Sequence, residues 1–158
     1  MGKMQIDVHG EMPSNGYTIT RLLDAPRDLV FSVWTEPEHI RNWMFPANFQ
    51  YADGGGEVRV GGEWFAVIRS PGGEDYRMEG EYVEVVPGRR IVQTHQWINV
   101  DGPGVKTLIT ITFEDEGSKT RLTFTQTGFE ARDMRLSNSE GWGEVLDNLD
   151  AYLCREAA

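Results

Sequence analysis

The sequence predicts an α+β fold in which a curved antiparallel sheet wraps around a long C-terminal helix. Three observations support this prediction. A short strand is followed by a helical pattern that a proline opens, over Pro26–Trp43. A second helical pattern, opened by Gly141-Trp142-Gly143, closes the chain. Between the two patterns, short runs of β-branched and aromatic residues alternate with glycine-rich turn signals, which is typical of β-hairpins.

The first strand and two short helices follow from the residues that precede the hairpins. Tyr17–Leu23 alternates between polar and apolar side chains, which predicts a strand. Pro26 suits the first turn of a helix, because its fixed φ and missing N–H are tolerated there. The next proline, Pro37, breaks the helix, since the residue before a proline is pushed out of the α region. The predicted helices therefore cover Pro26–Thr35 and Glu36–Trp43.

Turn signals divide the central part of the chain into short strands. Glycine-rich segments at Gly54–Gly56, Pro71–Gly73 and Asp101–Gly104 are predicted turns. Because such short connections join antiparallel neighbours, we expect a meander that brings the sheet to about seven strands. Alternation in the later strands predicts one buried face and one exposed face, with Ile109 and Phe113 on the buried side. The predicted strands after the helices are Trp64–Arg69, Tyr76–Val86, Arg90–Asn99, Val105–Glu114 and Lys119–Thr127.

An apolar stripe with helical spacing marks the C-terminal helix. Ser137 or Ser139 suits its N-cap position, so the helix is predicted to begin near Ser139. We expect Trp142, Leu146 and Leu149 to face the sheet, while acidic residues on the opposite side face solvent. The stripe consists of Trp142, Val145, Leu146, Leu149, Tyr152 and Leu153.

The length and the charge of the chain limit the classes of protein to which it can belong. The 158 residues, of which 39% are hydrophobic, are enough for one domain with a substantial core. We expect residues 16–158 to form this domain and residues 1–15 to be a flexible tail. The net charge of −10 opposes binding to nucleic acid or to anionic membranes. A single cysteine, Cys154, excludes an internal disulfide, and the sequence has no apolar stretch long enough for membrane insertion, so a cytoplasmic protein is expected.

The sequence carries no recognisable metal-binding or catalytic motif. His9, His39 and His95 are isolated from one another and from the only cysteine, whereas a zinc site needs three or four converging ligands. No nucleophile-elbow motif occurs. Gly54–Gly56 cannot complete a dinucleotide fingerprint, because Arg59 stands where the last glycine belongs. We therefore expect neither a metal nor a cofactor.

His95 is the polar residue for which several roles stay open. By strand alternation it shares a face with Gln93 and Trp97. One interpretation is a structural histidine that is hydrogen-bonded to a neighbouring strand or exposed on the outer face. Another is a polar anchor for a ligand, which requires that this face points inward. A third is a general base, for which Glu79 or Tyr82 would be the available partner.

Five segments of the chain carry a family resemblance: Ala25–Glu38, Arg59–Trp64, Gly80–Pro87, Thr120–Gln126 and Gly141–Leu153. Together with Trp43 they resemble the activator of heat shock protein 90 ATPase homologue (AHSA-like) family. This family belongs to the SRPBCC superfamily, whose helix-grip fold is also described as START-like or birch-pollen-allergen-like. Two features depart from the family pattern. Glu57 stands where an aspartate is common, and Met44-Phe45-Pro46 replaces the frequent tryptophan–glycine–proline.

The resemblance implies a cavity for a hydrophobic small molecule or lipid between the sheet and the C-terminal helix. It implies no shared activity, because superfamily members include carriers, cyclases and co-chaperone modules. From the cavity we expect binding of an apolar or aromatic small molecule or lipid, driven by burial of apolar surface. The candidate lining residues are Trp43, Phe45, Trp64, Met78, His95, Trp97, Phe124 and Trp142.

Two other functions stay open beside ligand binding. A cyclase-like or hydrolase-like enzyme could use the same cavity, and it would need His95 with an inward-facing carboxylate. A co-chaperone module would need a protein-docking surface and, in the members that gave the family its name, an additional N-terminal domain. The segment before Tyr17 is too short for such a domain, so we expect no stimulation of a heat-shock ATPase. A homodimer is as compatible with the sequence as a monomer.

Overall fold

The computed structural model describes residues 15–99 and 102–157. The predicted tail therefore lies outside the described residues, apart from residue 15. In chain order the elements are β1 (Gly16–Leu23), α1 (Arg27–Thr35), α2 (Pro37–Ile40), β2 (Gln50–Gly56), β3 (Glu63–Arg69), β4 (Asp75–Val86), β5 (Arg90–Asn99), β6 (Gly102–Pro103), β7 (Thr107–Glu116), β8 (Lys119–Thr127) and α3 (Arg132–Ala157).

The strands form one curved sheet in the order β1-β8-β7-β5-β4-β3-β2, with the short β6 paired to β5. Every pairing is antiparallel. The first strand lies at one edge, beside the last strand, because β1 pairs with β8. The predicted fold class is confirmed: an antiparallel sheet holds a C-terminal helix, and two short helices follow the first strand.

Alternation in β7 and β8 places one face of the sheet against the helices. Ile109, Ile111 and Phe113 are buried, and so are Leu122 and Phe124 on the neighbouring strand. The intervening residues of β7 are half-buried or exposed, as the predicted two-faced pattern requires. The helix contributes the opposite side of this core. Its buried residues are the predicted stripe of Trp142, Val145, Leu146, Leu149, Tyr152 and Leu153.

The two short helices confirm the predicted break at proline. Glu36 is extended, with φ −93° and ψ 128°, and it separates α1 from α2. However, α2 ends at Ile40 rather than at Trp43, and the chain continues in turns that include a hydrogen bond from Trp43 N–H to the Ile40 carbonyl. The turns place the Trp43 ring against Trp34, with ring centroids 4.8 Å apart.

Three further predictions were wrong in detail. Gly102–Pro103, within the predicted turn Asp101–Gly104, forms the short strand β6. Gly54–Gly56 lies inside β2 and is not a turn. Close backbone approach explains this, since a Cβ on Gly56 would lie 2.6 Å from the Glu63 carbonyl oxygen of β3. The C-terminal helix begins at Arg132, well before Ser139, so Ser137 and Ser139 lie within α3 and neither caps it. Its first turns are largely exposed and carry few apolar residues, which is why the apolar stripe did not mark them.

Within the described ranges, no helix has the length and apolar character needed to cross a bilayer.

Candidate functional site

A cavity of about 490 Å³ lies between the sheet, the loop after α2 and the N-terminal half of α3. Its lining is predominantly apolar, and side chains from three parts of the fold form its walls. The sheet contributes Ile68, Tyr76, Met78, Trp97 and Ile98. The loop contributes Met44, Phe45, Pro46 and Phe49. The helix contributes Met134, Ser137, Asn138, Glu140, Gly141, Trp142, Glu144 and Val145.

Two hydrogen bonds from α3 hold the loop over the cavity. The Glu144 carboxylate accepts a hydrogen bond from the backbone N–H of Ala47, with Oε1 and N 3.0 Å apart. The Asn148 side-chain amide donates to the Phe45 carbonyl over 2.6 Å. Both partners in the loop are backbone groups, so these two hydrogen bonds do not depend on the identity of the loop side chains. The helix and the loop therefore form the cover of the cavity together.

One polar contact fixes the wall that Trp97 forms. The Trp97 indole N–H donates to the Asn138 side-chain oxygen over 3.2 Å. The Asn138 amide nitrogen in turn donates to the Met134 carbonyl over 2.9 Å. Trp97 is thus held between β5 and the start of α3, with its ring along the cavity.

His95 faces inward but lies behind the cavity wall. It is 1% exposed, and its ring centroid lies 5.9 Å from that of Trp64, 5.4 Å from Trp97 and 6.0 Å from Trp142. Its Nε2 lies 3.3 Å from the Met78 sulfur. Burial lowers the pKa of His95 to about 4, so the ring is neutral at pH 7. The neutral imidazole of His95 therefore packs against three tryptophan rings and Met78 from behind the cavity wall.

Trp64 reaches its position because of a glycine on the next strand. Its indole N–H donates to the Thr94 carbonyl, 3.2 Å away across β4. A Cβ on Gly80 would lie 1.9 Å from that carbonyl oxygen and 2.8 Å from the indole nitrogen. Only glycine at position 80 leaves room for the Trp64 ring, so Gly80 is required for this position of Trp64.

A second, smaller recess of about 60 Å³ borders the first cavity. Met44 and Trp142 line both spaces, so they form the partition between them. Four residues with hydroxyl or amide side chains line the recess: Thr35, Tyr51, Tyr82 and Gln93. The Thr35 hydroxyl is already paired, because it donates to the Phe31 carbonyl over 2.8 Å. Burial, and then the neighbouring Tyr51, raise the pKa of Tyr82 to about 12, which keeps its hydroxyl protonated.

The structure distributes the predicted lining residues over four environments. Phe45, Met78, Trp97 and Trp142 line the larger cavity, and Trp64, Phe124 and again Trp142 line the recess. His95 supports this wall from behind. Trp43 lines neither space: its indole N–H donates to the Val33 carbonyl over 3.1 Å within the core.

Phe45 was the only one of the loop's lining residues that was predicted, and sequence reasoning missed the contribution of α3 before Trp142. Asn138 is the main example, because it precedes the predicted start of the helix near Ser139. Polar and small residues at helical spacing before the apolar stripe were the available signal. Asn138 precedes Trp142 and Val145 by i+4 and i+7 steps, which places the three on one face.

The residues proposed for acid–base chemistry do not meet. The Glu79 carboxylate accepts a hydrogen bond from Arg77 Nε over 2.8 Å, and both side chains are exposed. Tyr82 lines the recess, whereas the His95 Nε2 faces Met78. The described residues therefore contain no pairing of His95 with a carboxylate, which the enzyme hypothesis requires. In the same part of the chain, no group of three His, Cys, Asp or Glu side chains is placed to hold a metal ion.

Comparison with known proteins places this geometry in a family. Residues 24–154 match the model of the family described as Activator of Hsp90 ATPase homolog 1-like protein. No functionally curated protein matches the sequence.

Solved structures of several bacterial proteins share the fold. A Chromobacterium violaceum protein is 25% identical, with a TM-score of 0.78, over 88% of this chain and 96% of its own. A Nitrosomonas europaea protein is 26% identical, with a TM-score of 0.75, over 90% of this chain and 96% of its own. A Rhizobium leguminosarum protein is 29% identical, with a TM-score of 0.74, over 87% and 93% respectively.

Proposed function

Because the chain belongs to the Activator of Hsp90 ATPase homolog 1-like family, whose SRPBCC fold commonly binds hydrophobic ligands, we propose that it binds an apolar or aromatic small molecule or lipid. The proposed site is the cavity of about 490 Å³ beneath the first half of α3. The observation that carries the proposal is the composition of its walls. Aromatic, methionine and aliphatic side chains dominate them, and few polar groups are present, as in most small-molecule sites.

Burial of apolar surface supplies the driving force. A ligand that buries about 300 Å² of apolar surface gains roughly 7 kcal/mol at 25 cal/mol per Å². Lost translational and rotational freedom offsets part of this gain, so dissociation constants between about 10 μM and about 1 mM are expected for simple hydrocarbons. The large flat rings of Trp97 and Trp142 favour aromatic ligands that can stack on them.

Two partly exposed side chains mark the side from which a ligand enters. Tyr76 is 39% exposed and Met134 is 42% exposed, and both line the cavity. Phe49 of the loop lies near Tyr76, with ring centroids 6.3 Å apart. The entrance therefore lies between β4, the loop and the start of α3.

A leucine at position 141 tests the proposal. A Cβ on Gly141 would have no atom within 4 Å, and the residue lies on the helix face of Asn138 and Val145 at the cavity. We expect Gly141→Leu to fill part of the cavity and to weaken binding of 2-methylnaphthalene at least about 10-fold. The same change should preserve or raise stability, because glycine within a helix costs about 0.5–1 kcal/mol. Isothermal titration and urea unfolding measure the two effects.

Gly143→Leu is the matched control. It adds the same side chain to the same helix, but Gly143 lines neither space, and its Cβ would have only Arg21 Nη2 nearby, at 3.9 Å. This variant should bind the ligand as the wild type does. Equal binding by the wild type and Gly141→Leu, or no saturable binding by the wild type, would contradict the proposal.

A further inference from the structure

The smaller recess carries an arrangement of polar groups that apolar binding alone does not use. Tyr82 and Gln93 lie opposite each other on β4 and β5. Tyr51 of β2 is close enough to contribute electrostatically to the raised pKa of Tyr82. Gln93 is only 7% exposed. Within residues 15–99 and 102–157, the side-chain polar atoms of these three residues make no hydrogen bond. Three hydrogen-bonding groups thus line one small space without protein partners.

Unpaired groups in such a space favour a polar occupant. A largely shielded amide without a protein partner favours an occupant that completes its hydrogen bonds, because an unpaired polar group at such a site is unfavourable. The recess volume of about 60 Å³ accommodates a single functional group, such as a carbonyl or a hydroxyl, but not a ring system. The tyrosine hydroxyls can donate, and the glutamine amide can donate or accept.

The charges around both spaces select against an anionic group. The lining of the recess contains no charged side chain among the described residues. The larger cavity is lined by Glu140 and Glu144, and it has no cationic lining residue in the described part of the chain. A carboxylate would therefore be buried without a counter-ion, which is far more costly than burial of a neutral group.

The two spaces are close enough for one ligand to occupy both. Met44 and Trp142 line each of them. Methionine has three rotatable side-chain bonds and adapts to irregular spaces, so a change of the Met44 rotamer can join the recess to the cavity. A ligand body in the larger cavity would then place one substituent between these two residues.

We propose that the recess recognises a neutral oxygen group, a ketone, phenol or alcohol, on a ligand whose apolar body fills the larger cavity. This inference rests on the proposed function, and it adds the chemical class of the ligand. Gln93 and Tyr82 are the specificity-determining residues, with Tyr51 beside them. Fatty acids and other carboxylates are disfavoured, whereas aromatic ketones and phenols fit.

Four probes with one ring system test the inference by isothermal titration at pH 7.5. They are 2-methylnaphthalene, 2-acetylnaphthalene, 2-naphthol and 2-naphthoate. We expect the ketone and the phenol to bind the wild type about 10-fold tighter than the methyl compound, and the carboxylate to bind more weakly than it. In the double variant Tyr82→Phe/Gln93→Leu the ketone and the phenol should lose this advantage, while the affinity for 2-methylnaphthalene stays within about twofold.

Tyr152→Phe serves as the control, because it removes a hydroxyl that bonds to His39 Nδ1 away from both spaces. It should keep the preference for the ketone and the phenol. Equal binding of the methyl compound and the ketone, tightest binding of the carboxylate, or a preference that survives in the double variant would overturn the inference and leave the proposed function intact. If none of the four probes binds the wild type, the proposed function and the inference both fail.

Discussion

Truncation of Trp43 to alanine should lower the free energy of unfolding by about 3–5 kcal/mol. Trp43 is 0% exposed, so the change leaves a large void within the core. It also removes the hydrogen bond to the Val33 carbonyl and the packing against Trp34. Urea unfolding followed by circular dichroism measures the loss. Trp43→Phe, which keeps a ring but loses the indole N–H, should retain more of the stability.

Trp97→Ala is the informative comparison for Trp43. Trp97 is half-buried at the cavity wall, and we expect its truncation to cost about 1–2 kcal/mol while it weakens ligand binding. Trp43 should thus affect stability more, and Trp97 should affect binding more. A Trp43→Ala variant as stable as Trp97→Ala would contradict the assignment of Trp43 to the core.

Acidification should destabilise the wild type through His95. Its pKa in the folded chain is about 4, because burial disfavours the charged ring, whereas an unfolded histidine titrates near ~6.5. Above pH ~6.5 the ring is neutral in both the folded and the unfolded chain, so it adds no pH dependence to the free energy of unfolding. Between the two values only the unfolded chain takes up the proton, so the free energy of unfolding falls by about 1.4 kcal/mol per pH unit, or about 3 kcal/mol in total.

The variant His95→Phe isolates this contribution. It cannot take up a proton, whereas the carboxylates that also titrate in acid are common to both proteins. Urea unfolding at pH 7.5, 6.5, 5.5 and 4.5 measures the free energy of unfolding of both proteins. Below pH 6.5 this free energy should fall more steeply with decreasing pH for the wild type than for the variant. A difference that stays constant over this range would show that His95 is protonated in the folded protein.

Much of the fold could be predicted because its strongest signals are periodic. The apolar positions of β7, such as Ile109 and Phe113, recur at every second residue, and those of α3, such as Leu146 and Leu149, recur at helical spacing. Such patterns report burial directly, since each apolar side chain needs a partner across the core. The proline at position 37 likewise marks the break between α1 and α2 through its own covalent structure.

Features that depend on neighbours distant in sequence could not be predicted. Gly56 was taken for part of a turn, but the close approach of β3 that requires it is set by strand pairing. The start of α3 carries exposed residues whose periodicity is weak. At the candidate site, alternation indicated that His95 shares a face with Trp97, but not that Met78 and the tryptophan rings enclose it. The cavity cover depends on contacts between the loop and α3, such as that of Asn148 with the Phe45 carbonyl.

The most direct test of ligand binding beneath α3 is the response of the tryptophan indole N–H signals in a ¹⁵N–¹H correlation spectrum. Titration with 2-methylnaphthalene should shift the signals of Trp97 and Trp142, which line the cavity, and leave that of Trp43 in place. Gly141→Leu should suppress these shifts, whereas Gly143→Leu should retain them. Unchanged Trp97 and Trp142 signals at saturating probe, or shifts that also include Trp43 to the same extent, would contradict a binding site in this cavity.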